Sequence, residues 1–138
     1  MNVGRLAASA VVAWIAYLGF SALVNDVLLA DLYARHAGLF RPPGETPTAI
    51  GLGAALGGFF VFAYGYAKGY EGGPGAVEGL RYGVVVGLLL SCFSVAWAAV
   101  ALPVSGALAA AWIVDTLVEM AADGTLVGLV YRPVGSRK

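Results

Sequence analysis

The sequence predicts an all-α integral membrane protein: one domain over residues 1–138, a bundle of four transmembrane helices running up-down-up-down. Three observations lead there. Of the 138 residues, 60% are apolar and only 12% charged, and the mean hydropathy is +0.84, outside the range of ordinary soluble domains. Four apolar runs approach or exceed the roughly 20 helical residues needed to cross a hydrocarbon core of about 30 Å. None of them alternates in the manner of a membrane barrel strand, so helices are left as the spanning structure that satisfies its own backbone.

The first run extends from about Leu6 to Leu29. Arg5 ahead of it resembles the start of a removable signal. The run is longer than the 7 to 15 residues of a signal core, however, and Ala8-Ser9-Ala10 precedes that core instead of following it, so a retained helix is expected. Arg41-Pro42-Pro43-Gly44 then breaks the chain. Thr46-Pro47 offers an N-cap and a first-turn proline for the second run, Ala49 to Ala67. Gly72-Gly73-Pro74-Gly75 makes the next break, and Glu78 lies in the first turn of a third helix placed at Leu80 to Leu102. Pro103 and Ser105 leave a very short link to the fourth, Ala107 to Tyr131, which predicts an antiparallel hairpin of helices three and four. The longest loop lies between about Ala30 and Glu45.

Lys and Arg gather on the cytoplasmic side of membrane proteins. Arg5, Lys68, Arg81, Arg132, Arg137 and Lys138 fall on one side, against Arg35 and Arg41 on the other. Both termini are therefore expected in the cytoplasm, with the His36 loop outside. Tyr64, Tyr66, Tyr70, Tyr82 and Tyr131 gather near the cytoplasmic boundary, where an aromatic belt belongs. Small residues let membrane helices approach. Gly53 and Gly57, Gly83 and Gly87, and Gly124 and Gly128 form GxxxG pairs; Ser91, Ser94 and Ala98 extend the stripe of helix three, and Gly106 with Ala110 adds to helix four.

The strongest chemical signal is acidic. Asp115, Glu119 and Asp123 recur every four residues on one face of the fourth helix, with Thr116 beside them. A central Asp costs roughly 2.5–3.5 kcal/mol on insertion scales, so something must compensate. Three readings stand: a site for protons or a hard cation; a packing element whose carboxyls bond to Thr116, Ser91, Ser94 or a tyrosine; or a face that meets a basic partner subunit. A second polar group, Asn25 and Asp26 followed by Asp31, Arg35 and His36, reads either as the headgroup end of helix one with an Asp31–Arg35 ion pair, or as the mouth of a polar path to Asp115.

Equal numbers of basic and acidic side chains, eight of each, leave no field for nucleic acid. The lone Cys92 excludes an internal disulfide and a multi-thiolate metal site, and His36 has no nearby His or Cys, so no metal and no cofactor is expected. Phosphate-loop, His-Glu-x-x-His, nucleophile-elbow and CxxC motifs are missing, which argues against an enzyme. The favoured function is a non-catalytic structural or accessory component that packs with itself or with a larger membrane complex. The alternative is a small proton- or cation-conducting channel or carrier using the acidic face. Membrane lipids are expected around such a chain, together with a second copy or a larger membrane complex.

The segment Ala67-Lys-Gly-Tyr-Glu-Gly-Gly-Pro-Gly-Ala-Val-Glu-Gly-Leu-Arg-Tyr-Gly-Val-Val-Val-Gly-Leu-Leu, with the later Gly-Leu-Val-Tyr-Arg at residues 128–132, resembles a group of small bacterial four-helix membrane proteins of uncharacterised function. A His-Gly often stands in that group where this chain has Asn25-Asp26. The resemblance implies the four-helix topology over most of the chain and carries no activity, substrate or cofactor.

Overall fold

The computed structural model describes residues 1–41 and 44–131. Among these the chain is helical throughout, with five helices and no strand: α1 Val3–Leu28, α2 Ala30–Ala34, α3 Thr48–Gly69, α4 Gly75–Ala101 and α5 Gly106–Tyr131. Three of them, α1, α3 and α4, are long and apolar enough to cross a membrane by length and composition. The 26-residue α5 is as long, and differs from them in carrying Asp115, Glu119 and Asp123.

Local chemistry sets the boundaries. Asn2 caps α1, its side chain accepting from the Arg5 N–H at 3.0 Å. Gly72, at φ +97°, makes the turn before α4, a conformation that a residue with a Cβ rarely adopts. Glu78 then reaches back to accept from the N–H groups of Gly73 and Glu71, which places α4's first turn at Gly75, ahead of the expected Leu80. Ser105 caps α5 by accepting from the Leu108 N–H at 3.2 Å. The proposed start of α3 moves by one position: Pro47 is the cap residue, Thr48 opens the helix, and no side chain caps it. Pro42 and Pro43 of the expected break, like Arg132, Arg137 and Lys138 of the basic count, lie outside the described residues.

The tightest contact joins α4 to α5. Gly75 meets Gly128, Gly79 meets Gly124, Gly83 meets Met120 and Ala121, and Gly87 meets Thr116 and Leu117. Rising numbers on one helix meet falling numbers on the other, so the pair is antiparallel, as the short link requires. A Cβ at Gly79, Gly83, Gly124 or Gly128 would collide with the backbone of the opposing helix. The Gly83–Gly87 and Gly124–Gly128 pairs thus work as expected, and Gly75 and Gly79 double the length of the zipper.

The other expected small-residue contacts are not made within the chain. Gly53 and Gly57 are exposed with nothing within 4 Å of a Cβ, Gly106 likewise, and Ala110 is exposed. Ser91 is buried but Ser94 is exposed, because residues Ser91–Val95 form a π turn. The extra residue in that turn shifts the register beyond Ser91 and takes Ser94 off the α5-facing stripe.

On an adjoining face α5 packs against α1, and α1 in turn packs on α3. An open cleft of about 360 Å³ remains between α3 and α4, walled by Tyr17, Phe59, Phe62, Tyr82, Val86 and Met120. Tyr66, Tyr70, Tyr82 and Tyr131 close one end of the bundle as a ring cluster, with centroids 5.8–6.0 Å from Tyr66. Tyr66 and Tyr131 are buried, so the expected aromatic belt is for the most part an internal plug. Tyr64 alone of the set faces outward, beneath the Lys68 ammonium at 5.6 Å. Ile15, Val61, Val85, Phe93, Trp97 and Val100 are exposed on α1, α3 and α4, a surface suited to hydrocarbon and ill suited to water.

Candidate functional site

Two faces of α5 divide its work. Met120, Gly124 and Gly128 lie on the α4 side. The column Asp115, Glu119, Asp123 and Val127, one residue off that stripe at every turn, lies toward α1, whose buried face is Leu6, Ser9, Ala10 and Ala13. Ser9, Ala10 and Ala13 are small and fully buried.

Burial deepens along the column. Asp115 is partly buried, Glu119 is 8% exposed and Asp123 only 2%. One carboxyl oxygen of each, Asp115 Oδ1, Glu119 Oε1 and Asp123 Oδ2, is enclosed without a hydrogen-bond partner. The bonds expected from Ser91 and Ser94 are not made: the Ser91 hydroxyl is itself enclosed and unpartnered, and Ser94 is exposed. Thr116 is carried by the zipper face, where its carbonyl lies against Gly87. Ser9 gives its hydroxyl proton to the Leu6 carbonyl at 2.9 Å.

A chain of polar side chains leads into the column from the α2 end. Trp112 Nε1 donates to the Tyr33 hydroxyl at 2.8 Å, Tyr33 donates to Asn25 Oδ1 at 2.7 Å, and Asn25 Nδ2 donates to the Ser21 carbonyl and hydroxyl at 2.9 and 3.1 Å. Ser21 interacts with the Tyr17 phenol, and Tyr17 is within electrostatic range of Glu119, Asp115 and Asp123. Asp115 is similarly within range of Tyr33. Asn25 sits in the π turn Val24–Leu28 that ends α1, the sort of local distortion common where a helix carries function.

Of the residues singled out in the sequence, Asp115, Glu119, Asp123 and Asn25 therefore share one seam. Asp26 does not join it and is exposed. The expected Asp31–Arg35 ion pair does not form: α2 ends at Ala34, both side chains are exposed, and Arg35 is only the helix cap. Tyr17, Ser21 and Tyr33 were missed. Their signal was present, because Tyr17, Ser21 and Asn25 repeat at the same four-residue spacing as the acids.

At its other end the seam is closed. Beyond Asp123 come Val127, Leu6 and Tyr131, all buried. The hydrogen-bonded chain thus runs from Trp112 to Ser21, Tyr17 stands between it and the carboxyls within electrostatic range of all three, and apolar and aromatic residues follow Asp123. Among the described residues no group of three or more His, Cys, Asp or Glu is arranged to hold a metal ion.

Compared with protein families, with curated proteins and with solved structures, the chain matches none.

Proposed function

We propose that this chain is a non-catalytic, four-span protein of a bacterial cytoplasmic membrane, with both termini in the cytoplasm, and that its work is to bind and exchange protons on the Asp115–Glu119–Asp123 column. On this reading α5 is the fourth span. The six-to-two distribution of Lys and Arg supports the orientation, and the antiparallel zipper with α4 supports the insertion of α5 beside it.

The observation that carries the reading is the enclosure of three carboxyl groups, each with an unpartnered oxygen, on the inner side of a helix whose outer positions are apolar. Each is costly at membrane depth, and replacing buried ionic groups by well-packed apolar ones is often neutral or stabilising. A bundle held together by packing alone has no need of them. A proton satisfies a carboxyl oxygen without bringing net charge into hydrocarbon, and adjacent carboxyls can pass it on. The blocked end beyond Asp123 favours stepwise loading and release over an open pore.

The decisive comparison is Glu119→Gln against the unaltered protein in liposomes containing a pH-sensitive dye. Proton movement is expected in the unaltered protein and lost in the variant, with helicity and detergent stability retained. Equal flux in both would overturn the reading, and so would flux from the unaltered protein no faster than from empty liposomes.

One observation favours a second, compatible role as an accessory subunit. The α3 face bearing Gly53 and Gly57 is exposed and unused within the chain, and such faces serve close helix association in membranes. Association there, with a second copy or a larger complex, leaves the α1–α5 seam free.

A further inference from the structure

The chain has one histidine, and it joins two parts of the molecule 69 residues apart in sequence. His36 follows α2. Its Nδ1 lies 2.8 Å from the Leu32 carbonyl, and its Nε2 lies 3.1 Å from the backbone N–H of Ser105, the N-cap of α5. A carbonyl can only accept and a backbone N–H can only donate. The ring must therefore carry its proton on Nδ1 and offer the Nε2 lone pair to Ser105.

We infer that His36 is a pH-operated clasp, which holds the α2–α3 connection onto the start of α5 when neutral and releases it when protonated. Protonation converts Nε2 from an acceptor to a donor facing another donor. It also sets a positive charge against the N-terminus of α5, where the helix dipole already presents positive partial charge. Histidine is the side chain whose charge ordinarily changes between about pH 5 and 8.

The surroundings contain little else that could respond. On its own side the chain places Asp31 on α2, Arg35 at its C-cap and Arg41 beyond it. Across the contact, residues 96–114 contain no Asp, Glu, His, Lys, Arg, Cys or Tyr. The neighbouring cross-link from Trp112 to Tyr33 joins an indole and a phenol, neither of which titrates in that range, so α2 stays anchored while the segment after His36 is freed. That segment begins with the short 3₁₀ turn Ala37–Leu39. The clasp stands beside the Tyr33 end of the polar seam, but the inference rests on the His36 geometry and not on the proton-binding role of the column.

Two measurements on the full chain in lipid nanodiscs test it. With ¹⁵N-labelled histidine, the single imidazole is expected at pH 8 as the Nδ1–H tautomer with Nε2 accepting a hydrogen bond. Spin labels at Gly38→Cys and Gly106→Cys, in a Cys92→Ser background, then report the distance across the clasp; both glycines have open space where a Cβ would stand. One narrow distance is expected at pH 8 and a second, longer population at pH 5, with the pH response abolished by His36→Gln. An Nε2–H tautomer at pH 8, a distance indifferent to pH, or an equal response in His36→Gln would each overturn the clasp. None of these outcomes bears on Glu119→Gln flux, so the two readings fail separately.

Discussion

Replacing Gly79 with alanine adds one methyl group at the tightest point of the molecule. The new Cβ would stand 2.8 Å from the Gly124 carbonyl carbon and 3.1 Å from the Gly128 Cα, and closer still to the Gly124 oxygen, whereas ordinary contact begins at 3.4 Å. All three atoms are backbone, so no side-chain rotation relieves the clash and α4 must retreat from α5. Retreat also loosens Gly75 against Gly128 and Gly83 against Met120, which share the same two helix axes. Overpacking of a close-packed interior costs about 1–3 kcal/mol, and a clash with rigid backbone belongs in the upper half of that range. At about 2–3 kcal/mol the folded-to-unfolded ratio falls roughly 30-fold or more. Titration of SDS into mild-detergent micelles, followed by tryptophan fluorescence, measures it. Gly57→Ala is the control, because nothing lies within 4 Å of its Cβ, and a change within about 0.5 kcal/mol is expected there. If Gly57→Ala were as damaging as Gly79→Ala, or Gly79→Ala as harmless as the control, the zipper would not be what joins α4 to α5.

Two further substitutions probe the polar seam and the turn. Tyr33→Phe removes an acceptor for Trp112 and a donor to Asn25; leaving both partners short of a bond should cost about 1–3 kcal/mol, seen in the same titration together with altered tryptophan emission. Gly72→Ala forces a Cβ into φ +97° and should cost ~1–2 kcal/mol, whereas Gly73→Ala, whose Cβ would meet only the flexible end of Glu78, should cost less.

Helix positions were legible because hydropathy and breakers act locally: the Gly72–Gly75 and Pro103–Ser105 breaks reappear within a few residues of where the sequence puts them. The acid column was equally legible, since a four-residue repeat survives any helical packing. What could not be read was which partner each face meets. Gly53-x₃-Gly57 and Gly83-x₃-Gly87 are alike as sequence, yet only the second touches another helix. The π turns at Val24–Leu28 and Ser91–Val95 were hidden for a related reason. They shift register by one residue without any proline or glycine to mark them, and so Ser94 left the stripe. The tyrosines at the end of the bundle fit the composition of an interfacial belt, and only their mutual ring contacts reveal a plug.

The two sides of α5 differ in kind, and that difference bears on how the column could work. Toward α4 the backbones are in direct contact through glycine, a fit that tolerates almost no relative movement. Toward α1, α5 presents carboxyls with unused bonding capacity, the buried positions of α1 include the small Ser9, Ala10 and Ala13, and α1 ends in a π turn whose Asn25 is already bonded to side chains of its surroundings. Any rearrangement that opens the column to a proton therefore falls on the α1 side, while α4 and α5 remain a fixed frame. Shortening Gly79's clearance and replacing Glu119's carboxyl with an amide should accordingly separate: the first disturbs folding, the second leaves the frame in place and alters only what the seam can bind.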